Sequence, residues 1–310
     1  MEDLPIVDAH QHFWDLERNP YPWLQQEPPA PFRYGDTRAL RRTYLPEHYA
    51  ADTKSHRVVK TVHVEAEWDR ADPVGETRWL SALRERTALP TVAVAHAALD
   101  RPDAAAILQA QAAFPFVRGI RHKPAAAASP REGVRGAPGS MDDPKWRAGY
   151  ALLSRYRLSF DLQAPYWNLA EAADLARAFP WIPIIIDHTG LPVDRSAEGL
   201  AAWRAALETA AAEPNIALKI SGLGLKGQPW SLAANASVIR DAIRIFGVER
   251  CCFASNYPVD SLVASFDTIY AGFKTAVADF PPEDQRKLFH DNAIRIYRIP
   301  DGGDRSETRR

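Results

Sequence analysis

IPIIIDHTG, residues 182–190, is a short apolar run closed by an acid, a histidine and a glycine turn. A short apolar, β-branched run of this kind reads as a strand, here one of a series of βα units. Its polar residues come only at the carboxyl end. Short apolar, β-branched runs recur along the chain, in IVDAH (6–10), VVKTVHVE (58–65), TVAVAHA (91–97), FVRGIRH (116–122), LSFDLQA (158–164), NIALKIS (215–221) and CCFASN (251–256). With residues 182–188 these make eight candidate strands.

Amphipathic segments separate them. NLAEAADLARAF (168–179) opens with an Asn cap and a Glu three residues on, and Leu169, Ala172, Ala176 and Phe179 form one stripe. Leu200, Trp203, Leu207 and Ala210 repeat the pattern in residues 197–213. A last helix starts at Pro282 and is expected to bury Leu288, Phe289, Ala293 and Ile296. Eight strands alternating with helices, without a glycine-rich phosphate turn after the first, predict an α/β fold. The expected form is one single-domain (β/α)8 TIM-type barrel over residues 1–300, with 301–310 a disordered tail. Residues 14–46 and 123–144 are long irregular segments that follow strand ends, on the face where barrels build sites.

The chain of 310 residues is 46% hydrophobic, enough for a large core, and its net charge of -1 argues against a nucleic-acid or anionic-membrane surface. Its two cysteines, Cys251 and Cys252, are neighbours whose side chains point apart on a strand, so a reduced cytoplasmic protein is expected. No run of roughly 18 apolar residues predicts a membrane span. A small-molecule substrate is the expected partner, and homo-oligomerisation is left open.

Polar groups crowd the strand ends: Asp8, His10 and His12; His63 and Glu65; Arg118, Arg121 and His122; Asp161 and Gln163; Asp187 and His188; Lys219 and Ser221; Asn256. A barrel built only for stability could close its strands with apolar or short turn residues. In His-x-His, residues i and i+2 point the same way, so two imidazoles can reach one ion at about 2.0–2.1 Å. The motif is equally that of two polar groups hydrogen-bonding at a barrel mouth. His188 supplies a third candidate ligand. Arg118 and Arg121 face opposite sides, and Arg121, nearer the end, is the better anion contact. His63 and Glu65 share a face and are a candidate couple. Gln163 is placed to donate to a substrate oxygen, Lys219 is an ion-pair partner or a substrate contact, and Trp14 belongs to an aromatic run expected to wall a lid.

Taken together, VDAHQHFWD, VRGIRH, FDLQ, IIIDHTGLP, LKISGL, FASNYPVD and DNAIRIY resemble the signatures, in order, of the amidohydrolase superfamily in its amidohydrolase-2 branch, over residues 4–299. The pattern is similar to sugar-acid and dicarboxylate lactonases of that branch, such as fuconolactonase, rhamnonolactonase and pyrone-dicarboxylate lactonase. The resemblance implies hydrolysis of a small cyclic ester. It implies His10, His12, His188 and Asn256 as catalytic positions, and His10, His12 and His188 as ligands of a divalent metal such as Zn2+. Arg121, His122, Gln163, Glu65 and Trp14 are the substrate contacts expected beside them. Two departures stand out. Asn256 occupies the usual strand-eight aspartate position, and an amide cannot act as a general base near neutrality. FDLQ also lacks the strand-five histidine. A weak metal site and a metal-independent one both remain open, with His188, Asp161 or Glu65 as the base. A lyase or isomerase, such as a decarboxylase or lactone isomerase, is the alternative, because the lost acid harms it less. A barrel that binds a sugar acid without turnover is the third reading.

Overall fold

The structure is a computed structural model that describes residues 4–132 and 135–300. All eight predicted strands form: β1 (Ile6–Gln11), β2 (Val58–Val64), β3 (Val92–His96), β4 (Val117–Arg121), β5 (Ser159–Leu162), β6 (Ile184–Ile186), β7 (Ile216–Ile220) and β8 (Cys251–Phe253). They pair in parallel in sequence order. The ring closes just past β8, where the His12 amide donates to the Tyr257 carbonyl and the Asn256 amide to that of His10. A helix lies in every connection, from Pro46–Thr53 after β1 to Leu232–Phe246 before β8, and Phe266–Ala276 follows β8. This is a single (β/α)8 barrel. The tail 301–310, expected to be disordered, lies outside the described residues.

Two apolar layers hold it. The larger packs outward-facing strand residues such as Ile120, Phe160, Ile184, Leu218 and Phe253 against the helices. A smaller cluster joins Val7, Val62, Val94, Ile185 and Cys252 to Ile296 and Tyr297. Residues of β1, β2, β3, β6 and β8 can meet in one cluster only across the barrel interior, so this is its filling, with Tyr297 as part of the plug.

The helix expected over 168–179 runs Leu169–Ala178. Its cap differs from expectation: Asn168 donates its amide to Glu171 at 3.0 Å and makes no side-chain bond to the backbone. Leu169, Ala172 and Ala176 are buried, whereas Phe179, past the last turn, is half-buried, as is Leu200 in the helix Ala197–Ala211. The last helix begins at Pro282 and buries its four predicted residues, but Lys287–Asp291 is wound as a π-helix. Both cysteines are free and buried. Among the described residues no helix is long and apolar enough to cross a membrane.

Candidate active site

The carboxyl ends of the strands open into a cavity of about 430 Å³, lined by His12, Arg121, Gln163, His188 and Asn256 at its base. The segment after β1 covers it with Trp14, Trp23, Pro31, Phe32 and Arg33. The same segment tethers itself: Trp14 pairs with Tyr44 backbone to backbone and donates its indole N–H to the Arg42 carbonyl. Of the aromatic run, Trp14 and Trp23 face the cavity, while Phe13 and Tyr21 are fully buried in the core.

Beneath the floor lies a buried polar network. Lys219 of β7 reaches Asp161 of β5 at 2.5 Å and Asp187, just after β6, at 3.1 Å. Tyr297 donates its hydroxyl to Asp161 at 2.9 Å. Lys219 is therefore an ion-pair partner. Its ammonium keeps the Asp187 carboxyl below the usual range against the opposing pull of burial. Asp161 sits deeper, and burial raises it to about 6.

His10 Nδ1 lies 3.4 Å from both Asp187 Oδ1 and Lys219 Nζ. Its Nε2 is buried and has no hydrogen-bond partner. The rings of His10 and His188 stand 4.6 Å apart, and ligand atoms of His10, Asp187 and His188 fall within 4.8 Å of one another. His10 Nε2, left without a hydrogen-bond partner, together with His188 and the Asp187 carboxylate that Lys219 pairs with, is a donor set that fits a divalent cation such as zinc. The expected trio of His10, His12 and His188 is thus altered. Asp187 joins the group, whereas His12 points elsewhere, with Nδ1 2.7 Å from the Val64 carbonyl and Nε2 3.3 Å from Asn256 Oδ1. Burial and the nearby Arg121 charge lower His12 to about 3, and burial likewise depresses His10 and His188, so all three are neutral near pH 7.

Backbone strain gathers here. His188, Thr189, Gly190 and Leu191 run consecutively at positive φ, and Asn256 and Glu67 share that conformation. Non-glycine residues held so cost about 1–3 kcal/mol each and cluster at functional sites. The turn is locked by Thr189 Oγ1, which donates to the Ser221 carbonyl, and by His188 Nδ1 against Ser221 Oγ at 3.0 Å.

Arg121 points inward and Arg118 outward, as their spacing requires. Arg121 is braced as well as exposed to the cavity: Nε donates to Glu65 Oε1 at 2.8 Å and Nη1 to Gln163 Oε1 at 3.0 Å. Glu65 therefore pairs with Arg121 and Arg70, not with His63. His63 instead places Nε2 3.3 Å from Glu76 and accepts the Phe13 amide at Nδ1. Glu65 does not line the cavity, so it acts on substrate only through Arg121. His122 also departs from expectation. Just past the end of β4 it turns to the opposite side from Arg121, where Nδ1 accepts from the Leu99 amide and the Trp146 indole beside a separate cavity shared with His96 and Asp100. Arg33, Asp260 and the rim pair Glu67–Lys123 were not anticipated. Only the place of the 14–46 segment after β1 hinted at Arg33, while FASNYPVD already contained Asp260.

A barrel that gathers histidines, a carboxylate and an arginine at its strand ends, under an aromatic lid, has the build of a (β/α)8 hydrolase. The amidohydrolase family model matches residues 7–299, and the chain belongs to that family. It is 39% identical over 299 residues to the protein y4mH of Sinorhizobium fredii, spanning 96% of this chain and all of the relative. It is 27% identical over 298 residues to an L-fucono-1,5-lactonase of Burkholderia ambifaria, covering 94% and 95% of the two chains. Among solved structures, an amidohydrolase from Burkholderia multivorans with bound zinc superposes with a TM-score of 0.77 at 25% identity, over 95% of this chain and 99% of that one.

Proposed function

We propose that this enzyme opens a small lactone of a sugar acid or dicarboxylic acid by hydrolysis, acting on a free small molecule in the cytoplasm. The observation that carries the reading is the meeting of His12, His188, Asn256 and Arg121 at the floor of one cavity, with His10 and Asp187 directly behind. The lactonase name of a relative matched over nearly its whole length supports the ester over the amide. A zinc ion held by His10, Asp187 and His188 would polarise the carbonyl and acidify water.

In the reaction the water oxygen bonds to the ester carbonyl carbon, the ring C–O bond breaks, and the alkoxide takes up the proton that the attacking water gives up. The water's proton needs an acceptor. Asp161 is closed off by Lys219 and Tyr297, and both oxygens of Glu65 are engaged. His188 belongs to the cation-binding group. His12 remains. Its Nδ1–H donates to Val64, leaving Nε2 to accept a proton that Asn256 Oδ1 then receives as a hydrogen bond. Both contacts stabilise the imidazolium, and negative charge on the substrate would raise this low pKa further. Asn256 thus serves as a proton-holding partner where a carboxylate would serve as the base.

Turnover of candidate lactones in 18O-water tests this. One solvent oxygen in the product acid is expected. A product without solvent oxygen would point to the isomerase or decarboxylase alternative, which the absence of a carboxylate at 256 favours.

A further inference from the structure

Three cations line the cavity, Arg33, Arg121 and Lys123, against one carboxylate, Glu67. Two of the three are already matched. Arg121 is held by Glu65 and Gln163, and Lys123 pairs with Glu67 at the rim. Arg33 differs. Its Nη1 donates to the Gly222 carbonyl at 3.3 Å, and its guanidinium lies 4.5 Å from the Tyr34 ring centroid. Its one ion-pair partner among the described residues is Asp260 Oδ1, at 4.0 Å. That oxygen is already taken, accepting from Asn256 Nδ2 at 2.6 Å and from the Tyr34 hydroxyl at 3.1 Å.

The position is as telling as the charge. A Cβ on Gly222 would sit 2.7 Å from His188 Cβ and Cγ and 2.8 Å from Arg33 Nη2. The bare glycine therefore lets the His188 imidazole and the Arg33 guanidinium pack over the same point of β7's end. Arg33 is oriented by a carbonyl and a ring, with donors left over, beside His188, which lines the cavity.

We infer that Arg33 forms an anion subsite that selects lactones retaining a free carboxylate, the lactones of dicarboxylic acids, over neutral aldonic lactones. This rests on the lactonase reading for its substrate class. The subsite would hold the carboxylate by charge-assisted hydrogen bonds, while the aromatic segment that carries Arg33 covers the ring.

A matched pair tests it: D-glucaro-1,4-lactone and D-glucono-1,4-lactone differ at C6, carboxylate against hydroxymethyl. The enzyme as purified should favour the glucarolactone in kcat/KM. In Arg33→Met that preference should fall by about 10- to 100-fold, the scale of a hydrogen bond to a charged group, with most of the loss in KM. Arg33→Lys should recover part of it. Hydrolysis of both lactones with no such preference, or equal losses on both in Arg33→Met, would overturn the subsite and leave the lactonase reading standing. Binding gives a second arm that needs no turnover. By tryptophan fluorescence, D-glucarate should bind more tightly than D-gluconate, and Arg33→Met, checked for an unchanged melting temperature, should erase the difference. If neither lactone is hydrolysed but this difference appears and is erased, the anion subsite holds and the lactonase reading fails. If Arg33→Met retains the difference, the subsite is wrong.

Discussion

Asn256 Nδ2 donates to Asp260 Oδ1 at 2.6 Å, across four residues of the turn that follows β8. This bond aims the amide oxygen at His12 Nε2 and puts a buried carboxyl directly behind the position where an acid would otherwise stand. Any carboxylate introduced at 256 therefore meets a second one. In Asn256→Asp the two acids are expected to share a proton, so one titrates well above the ordinary carboxylate range. Asp260 alone is already raised to about 6. The acid limb of the pH–rate profile in Asn256→Asp should lie at or above that pH, and in Asn256→Asp/Asp260→Asn it should move down toward about 4. Zinc affinity by calorimetry should rise about tenfold or more in the double variant. Identical acid limbs in the two variants would show that Asp260 does not govern the position.

Lys219 neutralises two carboxylates in the barrel interior, all three groups being fully buried. Lys219→Met should destabilise the fold by about 3–5 kcal/mol, because it leaves buried charge uncompensated. Adding Asp161→Asn should restore part of that loss. Urea unfolding of the three proteins measures it, and a single variant as stable as the parent would contradict the network.

His10→Asn and His188→Asn should each lower kcat at least about 100-fold, while the unfolding free energy changes by no more than about 2 kcal/mol. His10 is fully buried, so its loss should be the costlier of the two for stability. Wild-type turnover in either variant would remove that residue from the site.

His63 is held neutral, its pKa lowered by burial from 6.5 to about 3. The folded pKa is below the unfolded one, so the stability tied to neutral His63 is present above pH 6.5 and lost as pH falls toward 3. Its partner Glu76, raised by burial to about 8, works oppositely: its contribution is present below 4.5 and lost as pH rises toward 8. Between pH 6.5 and 4, His63→Gln should flatten the acid loss of stability by up to about 1.4 kcal/mol per pH unit relative to the parent. Denaturant titrations at several pH values check this, and parallel curves for the two proteins would argue against a neutral buried His63.

Much of this was readable beforehand. Every strand was visible as an apolar run, and of the residues expected at the mouth His12, Arg121, Gln163, His188 and Asn256 line the cavity, while His10 lies buried behind it. Alternation also separated Arg118 from Arg121. It should have separated His122 from Arg121 too, since adjacent strand residues face opposite sides. The pairing of His63 with Glu65 failed for another reason: β2 ends at Val64, so the two side chains no longer share a pleat. Arg33 lies in an irregular segment, where no period fixes a direction.

The sequence by itself determined the barrel and which residue types stand at its strand ends, because strand formation and side-chain alternation depend on residues a few positions apart. Tertiary structure alone decided which groups became partners. Arg121 meets Glu65 from 56 residues away, Lys219 meets Asp161 from 58, and His12 meets Asn256 from 244. Such contacts form only when the ring of strands closes, and their energies depend on burial that the closure itself creates.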